Sequence, residues 1–194
     1  MDAPQPLDRA KIEEAFRLVG QYLLHKKTLG EIAIYGGSAI ILQFDWRKTS
    51  IDVDARVVSV GNHGVIMDAV HQAAKRLGLP RSWLNENVTM YARCGERDTD
   101  RVFVGLYPSP ERFGLRVTAA RPEYILAMKL RALERITSAE RDFNDAVKLA
   151  IECGVTTLEE IRDVHRRYFG NDELPVKAEL QLANLVAAVR ATRF

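Results

Sequence analysis

The sequence has few of the residues that would place it in several common protein classes. Its 194 residues include 2 cysteines and 4 histidines. Cys94 and Cys153 form no Cys-x-x-Cys pair, and their isolation favours reduced thiols over a disulfide framework. The four histidines are His25, His63, His71 and His165. They lack the ligand spacing that is typical of a zinc hydrolase.

Long apolar runs are also missing. No run approaches 18 residues, so no transmembrane helix and no membrane partner are expected. The first residues, MDAPQPLDRAK, lack a basic stretch followed by an apolar one, so no secretory signal is expected. These absences predict a cytoplasmic protein.

A strong overall charge is absent too, since 28 basic residues face 26 acidic ones for a net charge of +2. The basic residues are uneven, with eleven Lys or Arg against seven Asp or Glu between Arg76 and Arg135. Twenty of the 28 are Arg, which suits bidentate phosphate contacts. An Arg-rich proteome would explain the same bias.

The most informative stretch runs from Ile32 to Val58 and predicts a strand, a glycine turn, a short helix, a polar loop and a second strand. Asp52 and Asp54 lie in an otherwise apolar part of the second strand. Residues i and i+2 of a strand share a face, and two carboxylates there need water, a cation or a metal. The turn Gly36-Gly37-Ser38 before a helix offers N–H groups that suit phosphate.

The order Gly-Gly-Ser, thirteen residues and Asp-x-Asp resembles the signature of the DNA polymerase β-type nucleotidyltransferase superfamily. The fuller stretch GGSAIILQFDWRKTSIDVD is most similar to abortive-infection toxins of the AbiEii and MenT-like kind, which belong to type IV toxin–antitoxin systems. A second block agrees with this class, because a Lys helix, Pro122 to Leu130, precedes an Arg-Asp-x-x-Asp helix that begins near Arg141. The resemblance spans about Ile32 to Leu149.

The resemblance implies a Mg²⁺-dependent enzyme that moves a nucleoside monophosphate from an NTP to an acceptor hydroxyl, with RNA or tRNA as acceptor and an antitoxin as partner. The implied catalytic residues are Asp52, Asp54 and Lys129, with one or two Mg²⁺ on the two aspartates. The implied nucleotide-binding residues are Gly36, Gly37, Ser38, Arg47, Thr49 and Lys129. The implied supporting residues are Arg141, Asp142 and Asp145.

Each of these features also has a purely structural interpretation. The aspartates could be a solvated strand end, the glycines a plain turn, and Arg47 and Thr49 part of a solvated loop. Lys129 could extend to water along its alkyl stem, and the Arg-Asp-x-x-Asp helix could carry a capping and salt-bridge cluster.

A third carboxylate, which the superfamily usually takes from a neighbouring strand, is not evident. The matching strand would be Arg101 to Tyr107, which has no acid and places Gly105 near the expected position. Asp98 and Asp100 precede this strand, and Glu111 follows it. The alternative is therefore a catalytically degenerate protein of the same fold that binds nucleotide or a partner protein. A purely helical interaction protein is a weaker third possibility.

The predicted fold is α+β (or α/β), with a small mixed sheet flanked by helices and a C-terminal helical region. Residues 1–120 would form the core. Residues 121–194 would pack on it and close a cleft, with Asp52 and Asp54 opposite Lys129. We also predict Trp83-Leu84 in a loop, a hairpin of Val88–Ala92 with Arg101–Tyr107, and an edge strand Leu115–Thr118.

Overall fold

A computed structural model describes residues 6–90, 92, 96–135 and 139–192. Its helices are α1 (Arg9–His25), α2 (Gly36–Gln43), α3 (His63–Leu77), α4 (Pro122–Ala132), α5 (Ala139–Glu152), α6 (Leu158–Phe169) and α7 (Val176–Thr192). Its strands are β1 (Gly30–Ile34), β2 (Val53–Val57), β3 (Leu84–Asn85), β4 (Arg101–Pro108) and β5 (Phe113–Ala120). The predicted mixed α/β class is confirmed.

The five strands form one mixed sheet in the order β3-β2-β1-β5-β4. Strand β1 pairs antiparallel with β2 and parallel with β5, and β2 pairs parallel with β3. The end of β1 therefore lies at the same end of the sheet as the starts of β2 and β3. This topology brings the glycine turn after β1 next to the aspartates at the start of β2.

Helix α1 packs against β4, β5 and α3 because its apolar residues recur at helical spacing. The apolar residues of this face are all buried, namely Ile12, Ala15, Phe16, Val19 and Leu23. Gly20 and Gly114 permit the close approach, since a Cβ at either position would overlap backbone atoms of the facing element. The Phe16 ring completes this core edge-on to Tyr107, with centroids 5.4 Å apart.

The chain divides into two compact units. One comprises Met1–Tyr91 with Arg97–Ala120 and contains the sheet and α1 to α3. The other comprises Ala92–Glu96 with Arg121–Phe194 and contains α4 to α7.

The helical unit has a clear capping signal and an aromatic core. The Thr157 side chain accepts a hydrogen bond from the Glu160 N–H, and the Glu160 carboxylate accepts one from the Thr157 N–H, so the two residues form a capping box at the start of α6. The Tyr124 ring of α4 stacks on Tyr168 of α6 at a centroid distance of 4.8 Å.

Two strand predictions are corrected. Leu115–Thr118 lies in a strand, as predicted, but that strand is not at an edge, because β5 lies between β1 and β4 and pairs with both. The hairpin partner of β4 is β5, whereas Asn87–Met90 forms a 3₁₀ turn. Of the predicted strand Val88–Ala92, residue 91 lies outside the described part, as do Cys94 and Gly95 of the segment before β4.

The predicted Trp83-Leu84 loop is also corrected in part. Trp83 is buried, and its indole N–H donates to the Val70 carbonyl at 3.1 Å. Leu84, however, begins β3 and pairs with Val53. A two-residue strand has no readable periodicity, so this pairing was not visible in the sequence.

Two sequence-based expectations concern membranes and cysteine. No helix within the described ranges is long and apolar enough to cross a membrane. Cys153 is a free thiol, and burial raises its pKa to about 12, with smaller contributions from Glu123 and Glu152.

Candidate functional site

The glycine turn is built around the Asp54 carboxylate. Strand β1 ends at Ile34, Tyr35 is the extended N-cap of α2, and Gly36 begins the helix with φ +58°. That φ favours glycine, and a Cβ at Gly36 would lie 2.5 Å from Asp54 Oδ2. Gly36 thus lets a carboxylate lie directly against the N-terminus of α2.

The second glycine, Gly37, leaves room for the Arg47 guanidinium. A Cβ at Gly37 would lie 2.6 Å from Arg47 Nη2 and 3.0 Å from Ser50 Oγ. The turn is therefore flanked by the Asp54 carboxylate at one glycine and the Arg47 guanidinium at the next. Both glycines that the sequence singled out make room for side chains that it also singled out.

Ser38 acts on the aspartate segment in this structure. Its side chain is fully buried, and its hydroxyl donates to the Asp52 carbonyl at 2.6 Å. The hydrogen bond fixes the backbone at Asp52 relative to α2. A contact between Ser38 and phosphate stays a prediction.

The two aspartates lie at the start of β2 and are half-buried. Asp54 is inside the strand, as predicted, but Asp52 precedes the strand, because β2 begins at Val53. The Asp54 carbonyl accepts a hydrogen bond from Tyr35 N at 2.9 Å, which ties β2 to the turn. This hydrogen bond places the aspartate pair beside the N-terminus of α2.

Asn85 is a site residue that the sequence reasoning missed. Its side-chain amide donates from Nδ2 to Asp52 Oδ2 at 3.1 Å. The residue lies on β3, opposite Asp54 in the β2–β3 register. A lone Asn after a tryptophan-leucine pair carries no signal of this role, because the role depends on the pairing of a two-residue strand.

Strands β4 and β5 supply no third carboxylate. Strand β5, which flanks β1, has no acid in FGLRVTAA, and β4 has none in RVFVGLYP. Asp100 lies at the correct end of the sheet, but β4 is three strand spacings from β2, or about 14 Å. Its carboxylate also accepts from Arg97 N at 2.9 Å and is buried.

The other two acids near β4 fit a metal site no better. The Asp98 side chain is exposed and pairs with Arg101. Glu111 lies in the β4–β5 turn, at the opposite end of the sheet from Gly36, and hydrogen bonds from its own backbone and from Ser109 lower its pKa. Within the described ranges, no three His, Cys, Asp or Glu side chains come together as a metal-binding group.

Two carboxylates at a strand end suit one particular kind of metal site. Mg²⁺ is commonly bound through one or two carboxylates, with waters and substrate phosphates as its other ligands. Asp52 and Asp54 supply the carboxylate oxygens, and the N-terminus of α2 beside them suits phosphate. The donor set thus fits Mg²⁺ that is shared with a bound nucleotide.

Arg47 and Thr49 meet at one cavity. It has a volume of about 430 Å³ and is lined by Asp8, Arg9, Ala10, Ile41, Phe44, Asp45, Arg47, Lys48 and Thr49. The Phe44 ring stacks on Trp46 in the same loop, with centroids 5.7 Å apart. The loop is anchored after Thr49 by the paired backbones of Leu7 and Ser50. Two further cations, Arg9 and Lys48, two carboxylates and the Phe44 ring thus line the cavity beside both predicted residues.

The second predicted block forms a buried ionic cluster in the helical unit. Lys129 Nζ lies 2.5 Å from Asp142 Oδ1 and 2.8 Å from Asp145 Oδ2. All three side chains are buried, whereas Arg141 is exposed on the outer face of α5. Lys129, Asp142 and Asp145 are therefore brought together, and Arg141 is outside the cluster. Their catalytic and supporting roles stay predictions.

Comparisons with known proteins give one structural similarity. No protein-family model matches the chain, and no curated protein matches it. Among solved structures, the chain is similar to the crystal structure of an antigenic nucleotidyltransferase-like protein from Paracoccidioides brasiliensis. The two are 15% identical over 95% of each chain, with a TM-score of 0.49. No residue role follows from similarity at this level.

Proposed function

We propose that this protein is a Mg²⁺-dependent nucleotidyltransferase that transfers a nucleoside monophosphate from an NTP to an acceptor hydroxyl. The observation that carries the proposal is the contact between the Asp54 carboxylate and Gly36 at the N-terminus of α2. It joins a two-carboxylate cation site to a phosphate-binding helix terminus, and handling of a Mg²⁺-nucleotide requires both.

In the proposed reaction, Asp52 and Asp54 would hold the cation. When bound, Mg²⁺ would neutralise charge on the triphosphate and lower the pKa of the attacking hydroxyl. The acceptor oxygen bonds to the α-phosphorus, its proton passes to solvent, and the bond to the β-phosphate breaks to release pyrophosphate. The N–H groups at the start of α2 would orient the phosphates.

The acceptor and the remaining contacts belong to the same proposal. Arg47 and Thr49 would contact the nucleotide from the cavity that they line, and Lys129 would contact phosphate. By resemblance to the toxin class, the acceptor is RNA, with a tRNA 3′ end as the specific candidate, and an antitoxin is a partner. A cytoplasmic location is part of the same proposal, and the isolated cysteines, Cys94 and Cys153, support it.

The test is a transfer assay with Mg²⁺, each radiolabelled NTP in turn and total tRNA. Wild type should label RNA, and Asp52→Asn and Asp54→Asn should each reduce labelling at least 100-fold, because each removes a charged metal ligand. Asp68→Asn makes the same chemical change at an exposed position of α3 and should leave the rate unchanged. Equal labelling by wild type and both site variants would contradict the proposal.

One observation favours the alternative of a degenerate binding protein, namely that no third carboxylate joins Asp52 and Asp54 within the described residues. That protein would bind NTP in a manner that depends on Mg²⁺ and Asp52 but would transfer no label to any acceptor. If the chain neither binds nor transfers, both versions of the nucleotide site are wrong.

A further inference from the structure

The Asn85 side chain is held at both ends, which fixes the direction of its amide. Its Oδ1 accepts a hydrogen bond from the backbone N–H of Asn87 at 3.0 Å. Because a backbone N–H can only donate, the atom that faces it must be the carbonyl oxygen. The NH₂ group therefore points at Asp52 Oδ2, 3.1 Å away.

The strand that carries Asn85 is anchored independently of the site. Val53 N donates to the Trp83 carbonyl at 2.7 Å, and the buried Trp83 indole N–H donates to the Val70 carbonyl of α3. Leu84 then pairs with Val53, so Asn85 follows two fixed residues. Asp52, which precedes β2, thus has its carboxylate oriented from a neighbouring strand.

The consequence for Asp52 concerns its two oxygen atoms. Within the described residues, the Asn85 amide is the carboxylate's single hydrogen-bond partner, and it engages Oδ2 alone. Oδ1 is left for another ligand. The Ser38 hydroxyl fixes the Asp52 backbone at the same time. A metal ligand held in this way has one orientation before the cation arrives.

We propose that Asn85 is a positioning residue for the cation site, which holds the Asp52 carboxylate so that Oδ1 faces the metal. The inference rests on the proposed function, since it assumes that Asp52 and Asp54 bind a divalent cation. It adds a residue that does not touch the substrate and that acts through Asp52. Partners of metal ligands of this kind typically change metal affinity by about 10–100-fold when they are removed.

The experiment measures Mn²⁺ binding to the full chain without nucleotide, from the loss of the free Mn²⁺ signal in electron paramagnetic resonance. Asn85→Ala and the similarly shaped Asn85→Leu should each weaken binding about tenfold. Asn87→Ala is the matched control, because Asn87 is exposed and contributes only its backbone N–H to the contact. Thermal unfolding of each variant separates lost orientation from lost folding.

A second readout distinguishes positioning from general damage. In the transfer assay, Asn85→Ala should raise the Mg²⁺ concentration for half-maximal rate about tenfold, and excess Mg²⁺ should restore most of the rate. A merely structural defect would lower the rate at every Mg²⁺ concentration.

The outcomes separate this inference from the function on which it rests. Wild-type affinity in both folded Asn85 variants, with binding lost in Asp52→Asn, would overturn the role of Asn85 and leave the cation site intact. Absence of Mn²⁺ binding by wild type would overturn the cation site and this inference together.

Discussion

Gly36 combines two physical constraints that can be separated by mutation. Its φ of +58° disfavours any residue with a Cβ, and that Cβ would also meet the Asp54 carboxylate at 2.5 Å. Gly36→Ala should therefore lower the free energy of unfolding by about 2–3 kcal/mol, of which about 1 kcal/mol reflects the left-handed backbone. Because Asp54 must move, Mn²⁺ binding and transfer should both fall at least tenfold.

Gly78→Ala is the control for the free-energy cost of placing a Cβ on a left-handed backbone. Gly78 ends α3 with φ +65°, and nothing lies within 4 Å of a Cβ built there. The variant should lose only about 1 kcal/mol in urea unfolding and should bind Mn²⁺ like wild type. Equal effects of the two substitutions on stability and on Mn²⁺ binding would mean that the contact between Gly36 and Asp54 contributes to neither.

At the scale of elements, Lys129 links α4 to α5 through Asp142 and Asp145. All three side chains are buried, so Lys129→Met would leave two carboxylates near each other without the ammonium group. Removal of one partner from a buried ion pair typically costs about 3–5 kcal/mol. We expect Lys129→Met to lower the free energy of unfolding by that amount, measured by urea unfolding of the protein.

Arg162→Met makes a comparable change at an exposed pair. Arg162 on α6 bonds Glu179 on α7, and both side chains are about two-fifths exposed, so its removal should cost less than about 1 kcal/mol. If folded Lys129→Met transfers label at the wild-type rate, the lysine serves the ion cluster alone and the predicted phosphate contact is wrong.

At the scale of the whole molecule, stability should depend on pH through His165. The imidazole is buried, stacks on Phe169 and lies 3.5 Å from Arg131 Nη1. Burial, followed by the charge of Arg131, lowers the pKa of His165 to about 4, although Asp172 and Glu179 oppose the shift. The unfolded chain binds this proton near pH 6.5, so the folded state is disfavoured as the pH falls from about 6.5 to 4.

The predicted change is a loss of up to about 3 kcal/mol over that range, which corresponds to the full shift from 6.5 to about 4. Urea unfolding at several pH values would measure it in wild type and in His165→Phe, which cannot bind the proton. The variant should show a flatter pH dependence, and His25→Phe, at an exposed position, should follow wild type. Parallel curves for wild type and His165→Phe would exclude the histidine as the source.

Local signals in the chain predicted much of the fold. The apolar spacing of α1 and α3 matches their buried faces, Gly78 is the C-cap of α3, and Thr157 with Glu160 forms a capping box. Each of these depends on residues within about one helical turn, where periodicity and hydrogen bonding dominate. The hairpin predicted for Val88–Ala92, the loop assignment of Leu84 and the edge position of Leu115–Thr118 were wrong, because strand pairing depends on distant residues, which short runs do not encode.

The sequence by itself determined the mixed α/β class, the glycine turn, the aspartate pair and the two later helices with their charged residues. Tertiary structure decided that β5 is an interior strand, that the Asp54 carboxylate lies against Gly36 and Arg47 against Gly37, and that the Asn85 amide donates a hydrogen bond to Asp52. Tertiary structure also brings the side chains of Lys129, Asp142 and Asp145 together in one buried cluster. The division has a physical cause, because propensity and periodicity act locally, whereas these contacts join residues brought together only by strand pairing and helix packing.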